Sequence, residues 1–302
     1  MNLREICHVG EDGSCLSSLA VRTHRVTGSH PVSSNCQTTQ TTLKIYFCRQ
    51  NTDCNMNPEK EHTTPPWLQR TEILLGDEVL ERMKNLRIMV IGLGGVGSFA
   101  AEFLARAGVG NMTIVDGDTV DVSNINRQLP ALHSTVGKRK TVVMAERMMD
   151  INPALQLTVR DEFINPETVK GLITNDFDYV FDCIDSIQPK QYVIVACKQK
   201  DVRIISSMGA GGRLDPSKVQ VADLSETFNC PFAQQVRKGL KRKGVRRGVT
   251  VVFSSELVSK EHMMMTDGSK FKKSFYGTSS YIPALFGLHM ASVVVREVAE
   301  RL

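Results

Sequence analysis

Cysteine is scarce in the part of this sequence that has a clear folding pattern. The chain has 302 residues and eight cysteines, and five of these precede Met56, which leaves Cys183, Cys197 and Cys230 further along. No two cysteines form a C-x-x-C pair, the spacing from which four-cysteine zinc sites are commonly built. We therefore expect no zinc site and no disulfide framework in the body of the protein.

A long uninterrupted apolar run is also missing. The first residues lack the charged and then apolar pattern of a signal peptide. Near the other end, the apolar stretch 282–295 contains His289 and stops at Arg296. It is shorter than the roughly 20 residues of a membrane-spanning helix. These patterns predict a cytoplasmic protein and leave peripheral membrane association open.

Acidic side chains are absent from residues 237–247, RKGLKRKGVRR. The formal charge of the whole chain is only +5, so the seven cations of this segment exceed the net charge of the entire protein. The sequence therefore predicts a local basic patch on an otherwise slightly acidic protein. No aromatic residue is interleaved with the cations, so the pattern does not indicate base stacking.

Residues 1–55 show no sustained period of either helix or strand. We expect them to be disordered or an over-long start, with the working protein spanning residues 56–302. From there apolar strands alternate with helices, which predicts an α/β fold with a doubly wound, mainly parallel sheet of the Rossmann type. A smaller substrate-side part is expected over about residues 208–302. Helices are predicted at 68–84, 96–107, 138–150, 166–173, 189–200 and 282–302, and strands at 87–91, 112–116, 156–160, 179–182, 203–206, 219–223 and 249–254.

A glycine-rich turn follows the first predicted strand. Gly92, Gly94 and Gly97 form a G-x-G-x-x-G pattern, with Gly95 inside it, directly before a predicted helix. Glycines let a phosphate approach the backbone, and a helix N-terminus offers unpaired N–H groups and a positive dipole end. The turn alone is equally consistent with a dinucleotide and with ATP.

Charged residues after the second and fourth predicted strands bear on the choice between a dinucleotide and ATP. Asp116 stands where a Rossmann fold binds a ribose, and Arg127 and Lys140 add cations that a triphosphate requires more than a nicotinamide does. Arg127 could also be a solvated loop residue. Asp182 and Asp185 flank the end of the fourth strand, where carboxylates suit Mg²⁺. Of the two, Asp185 is the better candidate, since Asp182 could instead cap the next helix.

Four motifs, IGLGGVGS, VDGDTVDVSNINRQ, VGKRK and DCIDS, occur in this order. They resemble the adenylating fold shared by ubiquitin-activating enzymes and the bacterial molybdopterin- and thiamine-pathway adenylyltransferases. The resemblance implies that Asp116 binds the ribose of ATP, that Arg127 and Lys140 bind its phosphates, and that Asp185 serves magnesium. It also implies a homodimer, in which Arg70 reaches into the partner's ATP site. Further implied nucleotide ligands are Gly92, Gly94, Gly95, Gly97, Asp118, Asn124 and Gln128.

One branch of this family is resembled more closely. GAGGRLDP, VQVADLSET, PFAQQVRKGLKRKGV and VVFSSE look like the tRNA threonylcarbamoyladenosine dehydratases. This implies ATP-dependent cyclisation of N6-threonylcarbamoyladenosine in tRNA through activation of its carboxylate. The alternative is an adenylyltransferase that activates the C-terminal glycine of a small sulfur-carrier protein, although the zinc cysteines usual in that branch are missing. A sulfur-relay or cysteine-desulfurase type partner stays open, and Cys230 matches no nucleophile of the family.

Because the resemblance implies tRNA as a partner, the basic segment is expected to bind the tRNA backbone. Clustered cations release counterions from a nucleic-acid backbone and so favour binding. The alternative is a solvated helix face with no partner. The candidate tRNA-binding residues are Arg237, Lys238, Lys241, Arg242, Lys243, Arg246 and Arg247.

Overall fold

A computed structural model describes residues 64–265 and 274–300. These residues lie in one compact unit, Glu59–Leu302. The predictions for residues 1–55 concern a part of the chain outside the described residues.

Within this part of the chain there are eight α-helices. The pattern at 68–84 predicts one helix, but the structure has two, because Gly76 between them adopts a φ of 83° that breaks the helical path. That prediction is wrong. The basic segment lies mostly on the seventh helix. The helices are α1 Gln69–Leu75, α2 Asp77–Asn85, α3 Gly97–Arg106, α4 Lys140–Ile151, α5 Pro166–Leu172, α6 Ile187–Gln199, α7 Pro231–Arg242 and α8 Ile282–Ala299.

A seven-stranded sheet has the order β3-β2-β1-β4-β5-β7-β6. All neighbouring strands are parallel except β6, which runs antiparallel to β7 at the edge. This confirms the doubly wound, mainly parallel fold. A short separate hairpin, β8 with β9, was not predicted. The strands are β1 Arg87–Ile91, β2 Asn111–Val115, β3 Gln156–Arg160, β4 Tyr179–Asp182, β5 Arg203–Ser207, β6 Val219–Asp223, β7 Thr250–Ser254, β8 Met263–Met265 and β9 Ser274–Tyr276.

The central strands of the sheet are largely buried because both of its faces are covered, whereas the edge strand β3 is mostly exposed. Side chains alternate between the faces of a strand, and in β1 Ile88 and Val90 enter one core cluster while Met89 and Ile91 enter the other. The first cluster lies under α3 and α8, and the second under α6 and α7. This double burial explains the continuous apolar runs from which the strands were predicted.

The sequence pattern predicted an apolar stretch too short to span a membrane, and that prediction is corrected by α8, which continues past Arg296 to Ala299. This helix is long and apolar enough to cross a membrane by length and composition, and half of it is buried inside the fold. It packs closely on α3, since a side chain at Gly287 would overlap the carbonyl oxygen of Val96. Phe286, Met290 and Val294 contribute to the first core cluster. A mostly buried core helix can meet the same criteria of length and composition without spanning a membrane.

The strand order changes direction between β1 and β4, which are hydrogen-bonded neighbours in the sheet. In open α/β sheets, ligands bind at the carboxyl ends of the strands at this point. The glycine turn after β1 and the DCIDS motif after β4 therefore face the same crevice.

Candidate nucleotide-binding site

Two glycines shape the turn after β1. Gly92 has a φ of 90° and donates its N–H to the carbonyl of Val115 at 2.8 Å, which fixes the start of the turn against β2. A side chain at Gly97, the first residue of α3, would overlap the carbonyl oxygen of Gly92 and meet Cys183 Cβ at 3.0 Å. The turn is therefore too tight for any other residue at Gly97, and it brings the N-terminus of α3 to the carboxyl end of β1.

The loop that carries the predicted ATP ligands lies across this turn. A side chain at Gly95 would meet the carbonyl oxygen of Arg127 at 3.2 Å, and one at Gly94 would meet the amide nitrogen of Gln128 at 3.7 Å. The Oε1 atom of Gln128 is buried and has no hydrogen-bond partner among the described residues. An unsatisfied buried acceptor is costly, so this amide is a candidate ligand-binding group.

Asp116 ties the turn to the second strand. Its carboxylate accepts hydrogen bonds from the N–H of Leu93 at 2.6 Å and of Asp118 at 2.7 Å. Burial raises the pKa of Asp116 above its usual value, while the charge of Lys140 and the two backbone donors act in the opposite direction. The predicted ribose ligand therefore also shapes the glycine turn, with further lone pairs left for a hydroxyl group.

Lys140 begins helix α4 and is almost fully buried. Its side chain is 6% exposed, and its Nζ lies 3.3 Å from Oδ2 of Asp118. The neighbouring Arg139 forms its ion pair with a different carboxylate, and its Nε lies 2.5 Å from Oδ2 of Asp161. Of the three cations in VGKRK, Lys140 is thus paired with the acidic group at the mouth of the crevice.

Arg127 is half-buried, and its guanidinium donates to the carbonyl of Ser123 at 3.0 Å and to Oδ1 of Asn126 at 2.8 Å. Both acceptors belong to its own loop. Asn124 has a local structural role, because its Oδ1 accepts the N–H of Asp121 at 3.2 Å in a capping box. The loop is therefore held in shape by its own side chains.

The two carboxylates after β4 have different environments. Asp182 is fully buried, where its Oδ2 lies 2.7 Å from Nζ of Lys190 and accepts the hydroxyl of Ser206 at 2.6 Å. It does not cap α6, whose N-cap is Ser186, so that alternative is wrong. Asp185 is exposed at the rim of the crevice. Lys190 and Ser206 were missed from the sequence because their contact with Asp182 is formed only by the fold.

A model described as the ThiF family matches residues 68–301. The match covers most of the chain. The chain belongs to the ThiF family. The resemblance inferred from the four motifs is therefore confirmed.

Relatives within the ThiF family include a tRNA threonylcarbamoyladenosine dehydratase of Bacillus subtilis, 42% identical over 236 residues, which cover 76% of this chain and 93% of that protein. Crystal structures of the Escherichia coli tRNA N6-threonylcarbamoyladenosine dehydratase, TcdA, are also similar. The complex with AMP has a TM-score of 0.71 and 37% identity. The complex with ATP has a TM-score of 0.70 and 36% identity. Each covers 79% of this chain and 97% of the solved chain.

None of the three cysteines in the described part of this ThiF-family chain is exposed. Cys197 and Cys230 are buried and Cys183 is partly buried. Burial, followed by the charge of Asp182, raises the pKa of Cys183 and of Cys197 far above the usual thiol range. Since the thiolate is the reactive form, Cys183 and Cys197 are unsuited to act as nucleophiles.

The seven cations of the basic segment differ in their surroundings. Arg237 is turned into the fold and donates to the carbonyls of Leu224 at 3.2 Å and Thr227 at 2.8 Å. Lys243 lies over the ring of Tyr192 on α6, with its Nζ 5.5 Å from the ring centroid. The side chains that are exposed are Lys238, Lys241, Arg242, Lys243, Arg246 and Arg247.

Arg70 is an exposed residue of α1, and it precedes the crevice residues of its own chain in the sequence. One turn later on the same helix, Ile73 and Leu74 are 83% and 79% exposed. Large apolar side chains at such exposure are characteristic of a surface that contacts another chain.

Proposed function

We propose that this protein is an ATP-dependent tRNA threonylcarbamoyladenosine dehydratase. The observation that carries the proposal is the crevice between β1 and β4. There a glycine turn, a ribose-type carboxylate, two cations and an exposed aspartate converge, with no exposed thiol among the described residues. The similarity to the Bacillus subtilis and Escherichia coli dehydratases gives the reaction and its substrate.

The charged groups of the crevice are suited to binding ATP. The positive dipole end of α3 and the buried Lys140 are suited to the phosphates, and Asp116 is suited to a ribose hydroxyl. Arg127 adds a positive charge where negative charge develops as the bond to the α-phosphate breaks. Gln128 offers a buried acceptor, and Asp118 and Asn124 hold the lysine and the loop in place.

Magnesium fits a single protein carboxylate at this site. Mg²⁺ usually keeps several waters and binds through one or two carboxylates together with substrate phosphates. Asp182 is committed to Lys190, so Asp185 is the residue that would hold the ion. The described residues contain no cluster of three metal-ligating side chains, which agrees with an ion shared with ATP. When bound, the ion neutralises charge on the phosphate oxygens.

The chemistry needs no covalent enzyme intermediate. The carboxylate of the threonyl group attacks the α-phosphorus of ATP, which gives a mixed anhydride with AMP and releases pyrophosphate. The ureido nitrogen or oxygen of the same group then attacks the activated carbonyl carbon. AMP leaves with one oxygen of the carboxylate, the nucleophile loses its proton, and the ring closes. The net loss is one water, and the intramolecular attack has a high effective molarity.

Mass spectrometry of nucleosides tests the function. Threonylcarbamoyl-modified tRNA is incubated with the full chain, ATP and Mg²⁺, and we expect loss of one water from the modified adenosine only with ATP. Unchanged nucleoside, with ATP still bound, would overturn the proposal. Adenylation of a glycine-tailed sulfur-carrier protein in a parallel reaction would then support the alternative.

We further propose that the enzyme is a homodimer in which Arg70 completes the partner's site. Arg70→Ala and Asp185→Ala are each expected to be inactive alone. Mixed one to one after dissociation and reassembly, they should recover about a quarter of the wild-type activity, because half of the dimers then contain one intact site. Co-purification of the two variants through different affinity tags confirms that mixed dimers form. Mixed dimers without any activity would show that Arg70 acts within its own chain, and an active Arg70→Ala homodimer would show that it has no role.

The exposed cations of the basic segment are proposed to bind the tRNA backbone. Lys241→Ala with Arg242→Ala should weaken tRNA binding at low salt and reduce the slope of log K against log salt by about 1 to 2. The matched control is Arg82→Ala with Lys84→Ala on α2, which removes the same charges elsewhere. Equal tRNA binding by the two double variants would contradict a role of Lys241 and Arg242 in tRNA binding. Arg237 is left out of this surface because its guanidinium binds backbone carbonyls.

A further inference from the structure

A depression with a volume of about 240 Å³ lies beside the start of α7. Its lining includes Phe228, Asn229, Gln234, Arg237 and Leu257. Its volume is just below the roughly 300–1,000 Å³ of pockets for drug-sized ligands. It is therefore suited to one small ring system rather than to a folded segment of a protein.

An exposed aromatic ring forms one wall of the depression. Phe228 is 52% exposed, and its ring meets the buried ring of Phe253 edge-on, with centroids 5.6 Å apart. The next residue, Asn229, has a φ of 53° and donates its Nδ2 to the carbonyl of Ser255 at 3.2 Å. The ring is thus held in place by the core while remaining open to a planar ligand.

Helix α7 supplies polar groups and positive charge on the same side. Gln234, Arg237, Lys238 and Lys241 are spaced at i, i+3, i+4 and i+7, which places them along one stripe of the helix. Gln234 and Arg237 line the depression, and the exposed Lys238 and Lys241 continue from it. An aromatic wall followed by a row of cations matches the combination with which proteins hold single-stranded nucleic acid.

The depression lies on the same edge of the sheet as the ATP crevice. Ser255 and Leu257 follow the carboxyl end of β7, which is parallel to β5 and separated from β4 by β5 alone. With strands about 4.8 Å apart, β7 is about 10 Å from β4 across the sheet. Val258, which also lines the depression, reaches the turn after β5, where a side chain at Gly212 would meet its Cγ1.

We propose that this depression binds a base of the substrate RNA that neighbours the modified adenosine, by stacking the base on Phe228. The inference rests on the proposed function for the identity of the RNA. The positive stripe favours an anionic partner over a neutral apolar protein surface. The amides of Asn229 and Gln234 supply donors and acceptors that suit the edge of a base.

The test compares Phe228→Leu with Phe228→Trp in the full chain. Leucine keeps apolar packing on Phe253 but has no π-face, whereas tryptophan keeps a stacking surface. We expect Phe228→Leu to weaken tRNA binding and to raise KM for modified tRNA roughly 5- to 100-fold. Phe228→Trp should stay within about twofold of wild type. The kcat, the ATP affinity and the thermal unfolding midpoint should be unchanged in both.

The tRNA affinities of the two variants decide whether a base stacks on Phe228. Equal tRNA affinity for wild type and Phe228→Leu would overturn it. Equal losses in both variants would also overturn it, because they would indicate a requirement for shape rather than stacking. Binding is measured by filter retention and does not depend on turnover. A wild-type protein that binds tRNA through Phe228 but removes no water would therefore contradict the proposed function alone.

Discussion

Replacing Asp185 by asparagine is expected to lower kcat for dehydration of modified tRNA roughly 10³-fold or more. The change keeps the size of the side chain and removes its charge. Asp182 cannot substitute, since it is fully buried against Lys190 and Ser206. The remaining crevice would therefore lack a carboxylate for the metal on this side. The measurement is single-turnover loss of water at saturating ATP and Mg²⁺, together with the ATP affinity.

The matched control for this prediction is Asp176→Asn. Asp176 is an exposed carboxylate in the loop before β4, at the opposite edge of the sheet, and its replacement should leave kcat unchanged. Both variants should unfold at the wild-type temperature, because Asp185 and Asp176 are exposed and neither is the N-cap residue of α6. A kcat for Asp185→Asn within about tenfold of wild type, less than 1.4 kcal/mol in the barrier, would contradict the assigned role.

Replacing Arg127 by alanine is expected to lower kcat about 10²- to 10³-fold, the usual cost of losing one group that stabilises developing negative charge. Its guanidinium is anchored on Ser123 and Asn126 beside the glycine turn. The loop should survive, because the backbone bond from Arg127 to Asn124 and the cap at Asp121 remain. The rate of pyrophosphate release with modified tRNA measures the step directly.

Two further variants test whether the guanidinium of Arg127 itself is required. Arg127→Lys should recover only part of the loss, because an ammonium keeps the charge but not the planar set of donors. Arg87→Ala removes an exposed arginine at the opposite end of β1 and should have no effect. A normal rate of pyrophosphate release in Arg127→Ala would show that the residue is a solvated loop arginine.

The strands of the sheet could be predicted to within about two residues because their signal is local. Both faces of β1, β4 and β5 are buried, so each appears in the sequence as a short apolar run between turns. The break between α1 and α2 could not be predicted in the same way, since a glycine within a helical pattern often continues the helix. The β8–β9 hairpin was missed because its strands have only three residues each.

The candidate site was predictable where motifs lie next to strand ends, and not where it depends on contacts between distant segments. Gly97 and Asp116 follow from spacing along one strand and turn. The pairing of Asp182 with Lys190 and Ser206 requires three elements to meet. Likewise, the basic segment contains no aromatic residue, yet the fold brings Phe228 beside Gln234 and Arg237. A sulfur-relay partner and a cytoplasmic location stay predictions.

The buried pair beneath the crevice also limits how this protein can change over generations. Asp182 and Lys190 neutralise each other at a position closed to water. Removing one partner of such a pair costs about 3–5 kcal/mol, a large part of the roughly 5–15 kcal/mol that keeps a typical domain folded. Replacing both by well-packed apolar residues is often neutral. A lineage therefore loses much less stability when both residues change together than when either one changes first.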